Sequence, residues 1–408
     1  MSSEWPVFPL EECLDALIDY RGKTPEKTNS GIPLITAKII KAGRIETPTE
    51  FIAADNYDAW MRRGIPKAGD VVLTVEAPLG EVAQLGLEKI ALAQRVVTLR
   101  GKTGFLDSTY LLYLLQSEET QDKLKARATG TTVLGIKQSE LRKVLIKVPP
   151  LDVQVSAAAI LKAIDDRITL LRETNGTLEA IAQSLFKSWF VDFDPVRAKM
   201  EGRAPEGMDE ATATLFPDGF EESELGAVPM GWKPIRLDAF IELSYGKALK
   251  AETRNPGQIP VYGSGGITGW HDTSLVNQTS IIIGRKGTVG SIYWESSPFF
   301  PIDTVFYVKA QRPLSYCHQL LKTLRLHDMN TDAAVPGLNR ENVYRLLVPD
   351  APLPLFNAFD DVVTGLRQAI DHNEQQAKTL ATARDTLLPR LISGQLHLPE
   401  AMEELETI

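Results

Sequence analysis

The chain has 408 residues, 43% of them hydrophobic, and a net charge of −9, which suits two or three cored domains. No apolar run approaches the roughly 20 residues of a membrane span, and Met1–Leu10 lacks a basic stretch followed by an apolar one. Cys13 and Cys317 stand alone, so a cytoplasmic protein without disulfides or structural metal is expected.

The acidic total hides a division. Residues 1–150 hold 20 basic and 19 acidic side chains, and 227–350 hold 13 and 10. The segments 151–226 and 351–408 hold 7 against 15 and 4 against 9. Two regions could therefore carry positive faces, and the segments between and after them are acidic.

In chain order, residues 1–150 read as a mixed domain. "GDVVLTV" (Gly69–Val75) and "RVVTLR" (Arg95–Arg100) are β-rich runs, followed by the helical "STYLLYLLQSEETQDKLKA". From Ala157 a long helix is predicted over residues 151–195, with apolar positions at Ile160, Ile164, Ile168, Leu171, Leu178, Ile181 and Leu185. It closes on the aromatic "LFKSWFVDFDPV" (Leu185–Val196). Residues 196–226, rich in Gly, Pro and Glu, read as a linker. A second mixed domain is expected over 227–350, with a hairpin in "TSIIIGRKGTVGSIYW" and a helix in "LSYCHQLLKTLRL". A second long helix follows over 351–396, with Val363, Leu366, Ile370, Leu380, Ala383 and Leu387 on its seam, and then a tail over 397–408.

The two halves are copies. Shifted by 202 residues, "GIKQSELRKVLIKVPPL" from Gly135 lies on "GLNRENVYRLLVPDAPL" from Gly337, and Leu185–Phe190 lies on Leu387–Ile392. Shifted by 227, Trp5 and Leu10 lie on Trp232 and Leu237, and Ile32-Pro33 on Ile259-Pro260. The seam spacing of both helices is that of helices that pair, interrupted at Asn175 and Asn373 as polar register-setting positions. Connectivity makes the pair antiparallel: the first helix runs toward the second domain and the second returns. The expected fold class is α+β: two pseudo-twofold-related mixed domains joined by an antiparallel coiled coil on the order of 60 Å long.

Catalytic signatures are missing from the sequence. There is no G-x-x-x-x-G-K-[ST] phosphate loop, no glycine-rich cofactor loop between a strand and a helix, and no nucleophile with a histidine companion. "YGSGGITGW" (Tyr262–Trp270) reads as a turn. The chain reads as a binder, with Arg and Lys in glycine-containing loops suited to phosphates and base edges. In the first domain these are Arg21, Lys23, Thr24, Lys38, Arg62, Arg63 and Lys137. In the second they are Tyr245, Lys247, Lys250, Arg254, Arg285, Lys286, Asn339 and Arg340.

Three segments resemble one known family: "LFKSWFVDFDPV" after the first long helix, "SELGAVPMGWK" (Ser223–Lys233) opening the second half, and "RDTLLPRLISGQL" (Arg384–Leu396) closing the second helix. Over nearly its whole length the chain is similar to the specificity subunit of type I restriction–modification enzymes. The resemblance implies two target recognition domains, each reading one half of a bipartite double-stranded DNA target, and helices that set the gap. It also implies two methyltransferase subunits and motor-nuclease subunits as partners, which would carry the S-adenosylmethionine, ATP and Mg; no cofactor is expected in this chain, and no membrane. Phe186, Trp189, Phe190 and Phe193, with Leu388, Leu391 and Ile392 in the repeat, are the candidate docking positions for those partners. Two other readings are a coiled-coil adaptor without DNA specificity and a DNA-modifying enzyme in its own right.

Overall fold

A computed structural model describes residues 5–22, 24–86, 88–130, 133–329, 337–396 and 400–401. The chain divides into two compact units: Met1–Leu171 with Gln376–Ile408, and Arg172–Gln375.

The sequence repeat is a repeat of topology. In unit 1 an antiparallel four-stranded sheet runs in the order Leu14–Asp19, Val96–Gly101, Val71–Val75, Leu79–Gln84. In unit 2 the order is Ile241–Tyr245, Val305–Ala310, Ser280–Gly284, Ile292–Glu295, with the same pairings. Each unit adds a three-stranded sheet containing one parallel pair, Leu34 with Ala91 in one and Val261 with Phe300 in the other. Each is closed by a two-stranded ribbon: Val7–Pro9 pairs with Leu145–Lys147, and Lys233–Arg236 with Leu347–Asp350. The equivalent backbone bonds, Leu10 N to Val144 O and Leu237 N to Leu346 O, are both 2.8 Å.

The strands Val71–Val75 and Ser280–Gly284 are buried at every position, as β-branched and aliphatic runs covered on both faces should be. In unit 1 the helix Ser108–Gln116 is started by Asp107, whose carboxylate accepts from Tyr110 N at 2.8 Å. Its Tyr110, Leu111 and Leu114 enter the same core as Val71, Leu73 and Leu99.

Two long helices, Leu151–Phe190 and Leu353–Ser393, each contribute one part to each unit. In unit 1, Ile164, Ile168 and Leu171 share a core with Ala377, Leu387 and Leu391, and Arg384 Nη1 meets Asp165 Oδ1 at 2.7 Å. In unit 2 the pairs Asn175–Asn373, Glu179–Arg367 and Phe186–Phe359 rise along one helix as they fall along the other, so the helices are antiparallel. The seam differs from the sequence reading at one position. Ile181 is 48% exposed, and its neighbour Ala182 is buried instead. Steps of three or four residues admit either, and the smaller side chain takes the tight position.

The expected linker is folded. Asp194–Met200 and Glu210–Thr214 are short helices, Phe220–Ser223 pairs with Gly226–Pro229, and Val196 and Phe216 are buried in the unit 2 core. Gly, Pro and Glu content reads as a linker, but the apolar anchors Val196 and Phe216 between those residues give the segment something to bury. The tail over 397–408 lies largely outside the described residues.

The aromatic stretch has a different role from docking. Phe186, Trp189, Phe190 and Phe193 are 2–8% exposed and belong to the unit 2 core. Phe190 alone packs on Tyr316 at 4.9 Å, Phe359 at 5.3 Å, Phe356 at 5.9 Å and Trp232 at 6.0 Å. In the repeat, Leu391 and Ile392 are buried in the unit 1 core and Leu388 packs against it. None of these offers an open face, because each helix end is where a domain core needs its apolar mass.

Candidate nucleic-acid interface

Five of the basic-loop candidates meet in unit 2. Tyr245 ends the strand Ile241–Tyr245, Arg285 and Lys286 follow Ser280–Gly284, and Asn339 and Arg340 open the short helix Arg340–Tyr344. The fold joins the last two of these places by backbone pairing: Leu338 N donates to Arg285 O at 2.8 Å, and Lys286 bridges Gly337. At Gly284 a Cβ would lie 2.1 Å from Thr288 O, so glycine is what lets the chain fold over so closely after the strand. The result is a cleft of about 350 Å³ lined by Tyr245, Arg285, Lys286, Asn339, Arg340 and Glu341.

Tyr245, 48% exposed, is its organising surface. The Arg285 guanidinium lies 5.0 Å and that of Arg340 5.2 Å from its ring centroid. Phe306, the cross-strand partner of Tyr245, packs on it at 5.0 Å and lies 5.8 Å from Arg285, while Tyr344 sits 5.8 Å from Arg340. Such contacts restrain an arginine without using up its donors. Arg285 Nη1 donates to Asp303 O at 2.8 Å, and Arg340 Nε lies 3.5 Å from Glu341 Oε1. Lys286 is exposed and has no side-chain partner among the described residues. Asn339 Oδ1 caps the helix by accepting from Glu341 N at 2.8 Å, which leaves its amide nitrogen as a donor.

The other unit 2 candidates lie outside this cleft. Lys247 and Lys250 are exposed, and Arg254 braces the neighbouring hairpin by donating Nη1 to Thr268 O at 2.8 Å. The "YGSGGITGW" turn is a hairpin between Ile259–Gly263 and Gly266–His271, with Trp270 51% exposed on its outer strand.

Unit 1 treats its arginines differently. Arg21 pairs with Asp19 at 2.7 Å and donates Nη1 to Ile136 O at 2.6 Å. Arg63 Nη1 donates to Arg21 O at 2.7 Å and to Asp19 O at 3.0 Å. Both guanidiniums tie loops together; Arg21 is closed off by Asp19 and the Ile136 carbonyl, which corrects its reading as a contact group, whereas Arg63 is exposed and uses only Nη1. Thr24 donates to Gln94 at 3.3 Å. Lys38, Arg62 and Lys137 are exposed without side-chain partners among the described residues, and Lys23 lies outside the described residues.

Two buried polar clusters near the long helices are structural. In unit 1, Asp165 takes the Tyr113 hydroxyl at 2.9 Å as well as Arg384. In unit 2, Glu179 accepts from Gln319 at 3.0 Å, from Lys322, and from Arg367 at 3.1 Å, beside His318. Desolvation holds His318 well below the usual histidine range, assisted by the Lys322 charge. Burial opposes the charge on Glu179, but Lys322 and Gln319 outweigh it and hold the carboxyl below its usual range. Sequence reasoning missed this cluster, as it missed Phe306 and Tyr344 behind the arginines. Tyr344 is legible as the i+4 neighbour of Arg340, whereas Phe306 is legible only once strands are paired.

Two copies of one α+β fold, with glycine-shaped basic loops and long helices shared between them, define a two-headed binding protein. The family described as "Type I restriction modification DNA specificity domain" matches residues 2–180 and 229–349, and the chain belongs to it. It is a type I restriction–modification specificity subunit, the non-catalytic component that determines the DNA target. The MjaIX specificity subunit of Methanocaldococcus jannaschii is 26% identical over 355 residues, covering 83% of this chain and 80% of that one. The HindI specificity subunit of Haemophilus influenzae is 24% identical, covering 76% and 82%. In fold, the chain is similar to the type I restriction–modification S subunit from M. genitalium, with a TM-score of 0.55 and 21% identity over 95% of this chain and 96% of that one.

Proposed function

We propose that each unit reads one half of a split double-stranded DNA target, with residues 1–150 and 227–350 as the two readers and the long helices setting the gap between the halves. The observation that carries this is the duplicated sheet topology, with an exposed cation on the same joint in both copies: Lys137 in one and Lys286 in the other. A chain holding two copies of one fold presents any shared surface twice, which supports two copies of one methyltransferase subunit as partners. Those subunits would supply S-adenosylmethionine chemistry on adenine, and motor-nuclease subunits ATP- and Mg-dependent cleavage. No helix of the described residues is long and apolar enough to cross a membrane, which accords with a cytoplasmic site of action on DNA.

The test is domain exchange in the assembled complex. Replacing residues 1–150 with those of another family member should change one half of the methylated motif and leave the other half and the gap intact. If both halves changed together, the two-reader arrangement would be wrong.

A further inference from the structure

The joint that carries the unit 2 cleft is also present in unit 1, where neither position equivalent to Arg285 and Arg340 is an arginine, although Arg21 reaches the Ile136 carbonyl from another loop. Ile136 N donates to Val75 O at 3.0 Å as Leu338 N donates to Arg285 O at 2.8 Å, and Glu76 bridges Gly135 as Lys286 bridges Gly337. Val75 and Glu76 thus stand where Arg285 and Lys286 stand, and Gln138 opens its short helix where Arg340 opens the other. The fold itself does not require a guanidinium at either of these two positions. Yet unit 2 supports both with aromatic rings, two on Arg285 and two on Arg340, and leaves them far less neutralised than Arg21 beside Asp19.

We propose that Arg285 and Arg340, both packed against the Tyr245 ring in the cleft, are base-reading residues, and that the DNA half-site of unit 2 contains guanine. This rests on the reading of unit 2 as one of two DNA readers. A guanidinium is a planar fork whose paired donors match the O6 and N7 acceptors of guanine in the major groove, and no other base presents two acceptors there. Phosphate accepts the same fork, but a point charge such as Lys286 on the same rim already suits that task, and among the bases only guanine accepts the fork in the major groove. Arg285 keeps its Nη2 edge and Arg340 both terminal nitrogens unpartnered among the described residues.

The experiment uses the full chain assembled with its methyltransferase partner. The complex selects from a randomised duplex library, and retained DNA is sequenced at several salt concentrations for the wild type, Arg285→Lys and Arg340→Lys. Exchanging residues 227–350 identifies the half-site that belongs to unit 2. The wild type is expected to retain a split motif with guanine in that half. Each lysine variant keeps the charge and loses the fork, so guanine discrimination there falls roughly 10- to 100-fold. The other half and the salt dependence stay unchanged. A split motif whose unit 2 half lacks guanine overturns the proposal and leaves the two-reader arrangement standing; a wild-type motif with guanine in neither half does so without any variant. Lysine variants that discriminate as well as the wild type also overturn it. A wild type that retains no split motif sinks the two-reader arrangement and this proposal together.

Discussion

Asn373 donates its side-chain amide to Asn175 Oδ1 at 2.8 Å, across the seam of the two long helices, and Asn175 passes its own amide to Ile370 O at 3.3 Å. A half-buried amide pair in an apolar seam is satisfied in one register only, because a shift by a helical turn would leave both amides facing aliphatic neighbours. Asn373→Ala should cost about 1 kcal/mol of stability, since it leaves Asn175 without its donor. The double variant Asn175→Leu/Asn373→Leu should regain stability while losing register selection. Thermal unfolding measures the first effect. Disulfide trapping between cysteines introduced along the two helices in unit 2 measures the second, and a single trapped register in the double variant would contradict this role.

Acid should weaken unit 2 through the His318–Glu179 cluster. Desolvation keeps His318 neutral well below the ordinary histidine value of 6.5, so as pH falls through 6.5 the unfolded chain takes up a proton that the folded one refuses, and stability drops. Glu179, whose carboxyl stays ionised below its ordinary 4.5 against the cost of burial because Lys322 and Gln319 hold it, adds a second loss in the same direction below that pH. His318→Gln should remove the decline that begins at pH 6.5 and leave only the loss from Glu179, which begins below pH 4.5. Melting temperature against pH for both proteins checks this; parallel curves would remove His318 from the account.

Phe190→Ala should act on the fold and not selectively on assembly. The ring contacts Tyr316, Phe356, Phe359 and Trp232 in a filled core, and deleting it should cost about 3–5 kcal/mol. Calorimetry of the isolated chain is the measurement. A variant that melts like the wild type but fails to bind its partner would restore the aromatic stretch as a docking face.

Lys286→Ala should weaken DNA binding about equally for all sequences. As a free cation on the cleft rim, it should account for about one released counterion, lowering the slope of log K against log salt by about 1. Fluorescence anisotropy of the assembled complex across a salt series decides the matter, and a change of preferred sequence would argue against a phosphate role.

What the sequence by itself determined was the periodic and the repeated. Gly135 onto Gly337 and Trp5 onto Trp232 mark offsets along which backbone bonds recur, Leu10 to Val144 as Leu237 to Leu346 and Ile136 to Val75 as Leu338 to Arg285, and the breaks in the helix seams marked the asparagine pair before any contact was visible. Such features are local or self-comparing, so they need no knowledge of which strands meet. Only the tertiary structure decided which cations are available. Arg21 and Arg285 look alike as letters beside glycine, yet the first is closed off by Asp19 and a carbonyl from Ile136, 115 residues away in sequence, while the second is propped by the rings of Tyr245 and Phe306 on two paired strands. Likewise, "LFKSWF" announces burial but not what buries it, and a core supplied from residues 216–359 turned a candidate docking face into an interior. Availability and burial are set by long-range packing, and a single sequence records the side chains without their neighbours.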